Sequence, residues 1–276
     1  MALQKARKLN WLQTHLPEGL VVDAAWLAAH GYSRQLIRDY VRSGWLEQPA
    51  ARIYKRPSAP LVWEQVVISL QTLLARNLAV GGRSALELHG FGHYVPQAAN
   101  LIHLYGAPKP PSWLDNVLTE VQFRWHNDAR LFIDQRVSTE PHTLNSDGRA
   151  MERRKSHEVR PWGPWNWPLV ISTPERAILE LLDEVPEREN FHHVDMLMEG
   201  LSTLSPSRLQ LLLGDCRNIK VKRLFFFFAD RHKHAWLKRL DRSAINLGRG
   251  NRMLVKGGVL SAPHMITVPR DLDAVQ

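Results

Sequence analysis

Residues 31–44 constrain the fold most strongly, because their pattern is typical of a short helix with two incompatible faces. One face is apolar and follows the helical repeat: Leu36, Ile37, Tyr40 and Val41. A second face carries three basic residues at spacings of four: Arg34, Arg38 and Arg42. Ser33 is a favourable N-cap residue and Gly44 a favourable residue after the last turn. The segment therefore predicts a helix that packs on one side and presents guanidinium groups on another.

The residues around this helix predict a winged helix-turn-helix. Residues 20–29 indicate a second short helix capped by Asp23, and residues 30–32 form a tight turn in which Gly31 provides the backbone freedom. Residues 5–16 add a supporting helix with leucines at spacings of three and four. Residues 45–47 and 52–56 predict a two-stranded ribbon around Pro49. We assign residues 1–58 to this domain.

Three stacked guanidinium groups repel one another unless an anion lies opposite, and the phosphates and guanine edges of DNA fit that need. The alternative is a solvated helix face, which is common for charged stripes. The helix pair, the caps and the basic ribbon together favour DNA binding. The predicted DNA-binding residues are Ser33, Arg34, Gln35, Arg38, Arg42, Arg52, Tyr54 and Lys55. Tyr40 is predicted in the core, whereas Tyr32 fits either the core or a phosphate contact.

The charge of the whole chain also favours an anionic partner. Its 276 residues include 36 Lys+Arg and 27 Asp+Glu, for a formal net charge of +9. Residues 1–56 contain nine basic and four acidic residues, and residues 217–256 contain twelve and two. Because Cys216 is the single cysteine and no segment has the length of a signal or membrane span, we expect a cytoplasmic protein.

Residues 59–276 predict a larger mixed α+β domain. Strands are expected at residues 101–105, 121–125, 131–133 and 169–171, and two terminal strands around Gly257 and Gly258. A helix begins near Pro174, capped either by Ser172 with Glu175 or by Thr173. The four phenylalanines at 225–228 fit a helix better than a strand, because apolar residues from 221 to 228 keep helical spacing.

The second basic segment predicts a surface that contacts either flanking DNA or an acidic protein. The residues assigned to it are Lys220, Lys222, Arg223, Arg231, Lys238, Arg239, Arg242, Arg249, Arg252 and Lys256. The alternative is that these charges serve solubility alone. A net excess of ten positive charges within forty residues is more than solubility requires.

No catalytic, metal-binding or cofactor motif stands out. The paired histidines at 192–193 and 232–234 lack the spacing that a zinc ion needs on one helix face. Gly81 and Gly82 are not followed by the lysine and hydroxyl residue of a phosphate loop. A nuclease using scattered carboxylates such as Asp128, Glu140 and Asp147 stays an alternative.

Several segments in order resemble the AbiEi family of antitoxins. In the N-terminal part these are residues 25–27, 31–36, 40–41, 44–46 and 53–56, and in the following part residues 80–86, 102–105, 172–177, 254–258 and 266–269. The resemblance covers nearly the whole chain and rests on the order of weak motifs. Family wings often carry glycine before the aromatic residue, whereas Arg52 and Ile53 precede Tyr54 here.

This resemblance implies a non-enzymatic protein with two activities and no cofactor. The winged helix would bind inverted repeats in its own promoter and repress the operon, with Arg34, Arg38, Arg52 and Lys55 at DNA-contacting positions. The second domain would counteract a cognate nucleotidyltransferase-like toxin in defence against phage by abortive infection. We expect a monomer in solution that binds DNA cooperatively. The alternatives are a DNA-processing enzyme with a winged-helix targeting domain, and a regulator that senses a ligand.

Overall fold

The computed structural model describes residues 2–92, 101–134 and 156–273, with side chains from residue 7 to residue 272. Its fold class is α+β, as predicted. The helices are α1 (Ala2–His15), α2 (Ala24–Ala29), α3 (Arg34–Arg42), α4 (Trp63–Gln71), α5 (Gly82–Leu88), α6 (Leu114–Val117), α7 (Pro174–Asp183), α8 (Phe191–Gly200), α9 (Pro206–Asp215), α10 (Ile219–His232) and α11 (Arg270–Asp273). Short 3-10 helices are Asp128–Arg130, Ala235–Arg239 and Arg242–Ala244.

The strands form three sheets. They are β1 (Val21–Asp23), β2 (Glu47–Ala50), β3 (Ile53–Lys55), β4 (Ala79–Val80), β5 (Leu101–Tyr105), β6 (Gln122–His126), β7 (His157–Trp162), β8 (Trp167–Ser172), β9 (Val259–Ser261) and β10 (Ile266–Val268). The sheet orders are β1-β3-β2, β10-β9 and β6-β5-β4-β8-β7.

The N-terminal part is the predicted winged helix-turn-helix. Helices α1, α2 and α3 pack on the small sheet, and strands β2 and β3 form the wing. The sequence did not predict strand β1, because residues 20–22 were assigned to the start of α2. Val21 and Val22 are instead fully buried and pair antiparallel with Lys55 and Tyr54. Helix α2 begins after Asp23, whose carboxylate accepts a hydrogen bond from the Trp26 N–H at 2.7 Å.

The five-stranded sheet mixes parallel and antiparallel pairs. β5 runs parallel to β6, β4 runs parallel to β8, and β4–β5 and β7–β8 are antiparallel. Helices α5 and α7 cover one face. Alternate residues on the other face, including Ile102, Leu104 and Ile171, belong to the same apolar core as the winged helix.

Helix α4 joins the two parts across the predicted boundary at residue 58. The Ser69 hydroxyl of α4 accepts a hydrogen bond from the Val21 N–H at 2.9 Å. The buried Gln71 amide donates to the carbonyl of Val170 at 3.0 Å, and its carbonyl oxygen accepts from the Val170 N–H at 3.0 Å. One core therefore runs from the small sheet to the large one, and a division of the chain at residue 58 stays a prediction.

The C-terminal helices pack around α10, which is a helix as predicted. Its residues 221–229 are all buried, so the four phenylalanines enter the core on every side of the helix. Thr173 and Pro174 occupy the first positions of α7, which decides between the two predicted caps in favour of Thr173. Ser172 instead ends β8, and its hydroxyl donates to the Glu180 carboxylate at 3.1 Å.

Two strand predictions need correction. Residues 131–133 form no strand, because the preceding 3-10 helix turns the chain and leaves Phe132 a single bridge to Cys216. The first terminal strand follows Gly257 and Gly258 rather than preceding them, since β9 begins at Val259 and pairs with β10. In both cases a short apolar run was taken for a strand where tertiary contacts place irregular backbone.

Candidate nucleic-acid interface

Helix α3 is held at both ends and along one side. The Ser33 hydroxyl accepts a hydrogen bond from the Leu36 N–H at 3.2 Å, which caps the first turn. After the last turn, Gly44 has a φ of +74°. Tyr40 is buried, as predicted, and so is Tyr32, whose hydroxyl donates to the Lys8 carbonyl at 2.7 Å. Burial raises the pKa of Tyr32 to about 12, so it stays a neutral core residue.

The three arginines of α3 lie on its exposed side. None of them forms an ion pair with a carboxylate of the described residues. Arg38 donates to the Gln35 amide oxygen at 3.0 Å, and Gln35 donates in turn to Asp39 at 2.9 Å. The guanidinium groups therefore keep most of their hydrogen-bond donors for an external partner. This row has the form of a recognition helix in a winged helix-turn-helix.

The wing extends this surface through Arg52. Arg52 lies at the turn between β2 and β3 with a φ of +66°, the left-handed conformation that glycine adopts most easily. The turn therefore forms without a glycine, and it exposes a cation. A groove of about 620 Å³ separates the wing from the helices, and its lining includes Arg34, Arg38, Arg52 and Tyr54. Helix α3 and the wing thus face one concave, cationic surface.

Lys55 does not belong to this surface, so its predicted contact with DNA is corrected. It is 4% exposed. Its Nζ lies 2.8 Å from the Glu47 carboxylate and donates to the carbonyls of Ser58 and Ala59 at 3.1 and 3.2 Å. The lysine therefore fastens the base of the wing to the following segment.

Two members of the second basic segment are likewise internal. Arg223, 1% exposed, donates to the carbonyls of Leu247, Gly250 and Met265 at 2.7 to 3.0 Å, and Lys222 is also buried. Both are removed from the predicted surface for that reason.

Three further members of the segment are neutralised within the chain. Lys220 donates to the Asp183 and Val185 carbonyls at 2.8 and 2.7 Å. Arg231 pairs with the Asp195 carboxylate at 2.9 Å, and Arg242 pairs with the Asp230 carboxylate at 2.7 Å. These side chains tie α10 to its neighbours, so they offer little charge to a partner.

The remaining five members of the segment are exposed: Lys238, Arg239, Arg249, Arg252 and Lys256. Three of them, Arg249, Arg252 and Lys256, lie within four residues of Met253, which is 73% exposed. Buried Arg223 holds the start of this loop by its hydrogen bonds to Leu247 and Gly250. The loop therefore has an exposed apolar side chain with exposed cations near it in sequence.

Asp128, a carboxylate of the nuclease alternative, lies in a buried ion-pair network. It is 3.0 Å from Arg176, which also pairs with Glu180 at 2.7 Å and stacks over the Phe132 ring. Glu140 and Asp147 lie outside the described residues. The sequence did not predict this network, although the four-residue spacing of Arg176 and Glu180 in an apolar helix was a signal for it.

The histidine clusters are used in local pairs. His193 contacts Glu189 at 2.7 Å, and His232 contacts Asp195 at 2.7 Å. Across the described ranges, no three histidine, cysteine or acidic side chains converge in a way that could hold a metal ion. Cys216 is buried, and burial raises the pKa of its thiol to about 11.

Among the helices in the described part of the chain, none is long and apolar enough to cross a membrane.

Comparisons with known proteins agree with this arrangement. Residues 99–269 match the family described as "Transcriptional regulator, AbiEi antitoxin, Type IV TA system", and residues 5–97 match the one described as "Transcriptional regulator, AbiEi antitoxin N-terminal domain". None of the curated protein sequences is significantly similar to this chain. The crystal structure of the RV2827C protein from Mycobacterium tuberculosis has a similar fold, with a TM-score of 0.54 and 15% identity over 95% of this chain and 89% of that one.

Proposed function

Because the chain belongs to the AbiEi antitoxin family of transcriptional regulators of type IV toxin–antitoxin systems, we propose that it has two activities. Its winged helix binds the promoter of its own operon and represses transcription. Its second domain counteracts a cognate nucleotidyltransferase-like toxin. Both activities belong in the cytoplasm, where operator DNA is found.

The observation that carries the first activity is the row of arginines on α3. Arg34, Arg38 and Arg42 have no carboxylate partner in the described residues, and Arg52 extends their charge onto the wing. Arginine donates two parallel hydrogen bonds to guanine in the major groove, and cations on a wing contact phosphates. We therefore assign base recognition to Arg34 and Arg38, and phosphate contacts to Arg42, Arg52 and Tyr54.

Ser33 and Gln35 have supporting roles in the proposed complex. The Ser33 hydroxyl is occupied as the N-cap, so it fixes the start of α3. The Gln35 amide accepts from Arg38 and thereby orients that guanidinium group. Two monomers bound cooperatively to inverted repeats would place two such helices in successive major grooves.

The toxin-facing surface of the proposal is the loop around Met253. Arg249, Arg252 and Lys256 flank this exposed apolar side chain. An apolar anchor with a cationic rim fits an acidic protein surface better than it fits DNA, which has no pocket for a methionine. Lys238 and Arg239 add to the same charge.

A DNA-binding measurement with charge-matched variants tests the first activity. The triple variant Arg34→Ala, Arg38→Ala, Arg42→Ala and the control Lys238→Ala, Arg239→Ala, Lys256→Ala each remove three cations. We expect the first to lose affinity for the promoter fragment by about a hundredfold or more and the control to change it by less than about threefold. The measurement is a gel-shift titration at fixed salt, with a scrambled fragment as competitor.

Two results would contradict this assignment. Equal losses in the two triple variants would indicate binding through overall charge alone. Cleavage of the fragment when Mg²⁺ is added would favour the DNA-processing alternative over a repressor. A fragment with one repeat, compared with a fragment with both, measures the cooperativity that we propose.

A co-expression growth assay tests the second activity. The variant Arg249→Glu, Met253→Glu, Arg252→Glu should lose most of its protection against the cognate toxin, while the triple α3 variant should keep it when expressed from an unrelated promoter. Loss of protection in the α3 variant instead would show that neutralisation proceeds through DNA binding. Equal protection by all variants would refute the Met253 surface.

A further inference from the structure

A second cavity, of about 380 Å³, lies between the winged helix and the second domain. Its walls come from the start of α2, the turn between β2 and β3, and the first part of α6 with the two residues before it. Helix α6 packs against β2, and its Leu114 and Val117 are buried in the core shared with the winged helix. This core therefore holds α6 beside the wing and fixes the shape of the cavity.

Two side chains of opposite charge line the cavity, Asp23 and Arg52. The Arg52 carbonyl accepts a hydrogen bond from the Ala24 N–H at 2.9 Å, which fixes the backbone of Arg52 beside Asp23. One carboxylate oxygen of Asp23 caps α2 by accepting from the Trp26 N–H at 2.7 Å. Neither charge forms an ion pair with the other or with any described residue. The cavity therefore offers an anion and a cation to the same ligand.

An indole N–H in the cavity wall has no acceptor. Trp113 lines the cavity, and its Nε1 is buried without a hydrogen-bond partner in the described ranges. The Nε1 groups of Trp125 and Trp236 donate instead to the carbonyls of Gly106 at 2.9 Å and Leu201 at 2.8 Å. An indole nitrogen can only donate, and buried ones are normally paired. An acceptor oxygen of a ligand in the cavity would satisfy Trp113.

The rest of the lining is mostly apolar and small. Ser112 and Asn116 are exposed and add a polar edge. Four alanines, whose methyl groups leave the space open, form the remaining wall: Ala24, Ala25, Ala50 and Ala51. Such a wall suits a compact apolar group, because it supplies apolar contact without filling the cavity.

We propose that this cavity binds a free α-amino acid with an apolar side chain. The ligand ammonium group pairs with the Asp23 carboxylate, and the ligand carboxylate accepts from Arg52 and from the Trp113 Nε1. The apolar side chain contacts the alanine wall. A phosphate of DNA fits less well, because Asp23 repels it and the buried Trp113 nitrogen is out of reach of a duplex backbone.

The proposal includes a regulatory effect that rests on the proposed DNA binding. Ala24, Ala25 and Arg52 line both this cavity and the groove between α3 and the wing. A ligand carboxylate that holds Arg52 competes with the phosphate that we assign to the same guanidinium group. Bound amino acid should therefore weaken promoter binding, so the protein would release its operator when the ligand is abundant.

Isothermal titration calorimetry of the full chain without DNA tests the site itself. The probes are L-phenylalanine and L-leucine, with 3-phenylpropanoate and phenethylamine as analogues that lack the ammonium and the carboxylate. We expect one of the two amino acids to bind with a Kd below about 5 mM, and both phenyl analogues to bind at least about tenfold more weakly than the better amino acid. No binding of either amino acid, or equal binding of an analogue, would overturn the proposal.

Three variants assign the binding to the named residues. Trp113→Phe keeps an aromatic ring but removes the N–H, so amino-acid binding should weaken by about fivefold or more. Trp165→Phe makes the same change at a tryptophan that is 73% exposed on the β7–β8 turn, and it should leave binding within about twofold. Ala51→Leu fills the cavity from the exposed turn and should abolish binding. Thermal unfolding confirms that the variants fold, and equal effects of Trp113→Phe and Trp165→Phe, or full binding in Ala51→Leu, would contradict the site.

Promoter binding measured with and without the better amino acid tests the regulation separately. At about 10 mM ligand we expect affinity to fall threefold or more in the wild type and to stay unchanged in Arg52→Ala. Calorimetric binding with unchanged promoter affinity would refute the regulation and leave the site. A protein that binds the amino acid but no promoter would refute the proposed function alone. Weaker promoter binding by Trp113→Phe in the absence of ligand would make the cavity a DNA contact and overturn the proposal.

Discussion

The two basic segments of the chain both have an excess of cations, but the structure places these cations differently. On α3, the cations face outward and have no carboxylate partner in the described residues. On α10 and the residues after it, half of the predicted cations are either buried or bonded to partners within the chain, and Arg223 alone donates to three backbone carbonyls. The N-terminal segment is organised to present charge, whereas much of the C-terminal one uses charge to hold loops in place.

This difference follows from what surrounds each helix. Helix α3 packs on one side only, so its polar face keeps contact with solvent. Helix α10 is surrounded by α7, α8 and the terminal hairpin, so a long cationic side chain must find an acceptor inside the protein. The net charge of a segment therefore counts its cations. It does not tell which of those side chains are free to contact a partner.

The largest effect should come from removing an internal cation. Arg223→Met keeps most of the side-chain volume but leaves three carbonyls without donors, so we expect a loss of about 3 kcal/mol in the free energy of unfolding. Urea denaturation followed by tryptophan fluorescence measures it. The exposed control Arg239→Met should stay within about 0.5 kcal/mol. A loss below about 1 kcal/mol for Arg223→Met would contradict its structural role.

Removing an exposed cation of α3 should weaken DNA binding and leave the free energy of unfolding unchanged. Arg38→Ala should weaken promoter binding by about tenfold to a hundredfold, because a two-point contact to a base is worth roughly 1–3 kcal/mol. Arg38→Lys should fall between the variant and the wild type, since lysine keeps the charge but loses the planar pair of donors. Fluorescence anisotropy at constant salt measures the affinities. Full affinity in Arg38→Ala would place base recognition elsewhere.

The wing contains a buried cation, Lys55, and an exposed cation, Arg52, within four residues. Lys55→Met should lower the free energy of unfolding by about 1–2 kcal/mol and leave the salt dependence of DNA binding unchanged. Arg52→Ala should do the reverse, reducing the slope of log affinity against log salt by about one. A smaller salt slope in Lys55→Met would mean that Lys55 leaves its pocket to contact phosphate.

The smallest expected effect is on the pH dependence of the free energy of unfolding. Burial would raise the pKa of Asp230, but hydrogen bonds from His264 and Arg242 lower it below its usual range. A carboxyl whose pKa is lower in the folded state adds stability above its unfolded pKa of about 3.9 and loses it as the pH falls. Asp230→Asn should therefore lose stability at pH 7 and show a flatter decline between pH 5 and pH 3 in urea midpoints. An unchanged decline would exclude this contribution.

The elements with strong local signals were predictable from the sequence. Capping residues and helical spacing identified α3, α7 and α10, and short runs rich in β-branched and aromatic residues identified β5, β6 and β8. Strand β1 was not predictable in the same way, because three residues before a cap carry no period of their own. Its identity comes from pairing with β3, more than thirty residues away.

Within the candidate site, too, the residues whose placement depends on local sequence were predictable, and those whose placement depends on distant contacts were not. The exposed arginines of α3 follow from the helical repeat alone. The burial of Lys55 depends on a segment that folds back after the wing, and that of Arg223 depends on carbonyls from residues 247–265. The partners of these side chains are distant in sequence, and no local sequence pattern predicts them.

The continuous core through α4 has a consequence for operator choice. Ser69 and Gln71 connect the small sheet and the large sheet to the same helix, so the proposed DNA-binding part is anchored to the rest of the chain. Two copies on the inverted repeat that we propose must then bind at a separation at which their second domains do not collide. Side chains that do not contact DNA would therefore set the number of base pairs between the two half-sites. A family member with a larger second domain should bind repeats that are more widely spaced.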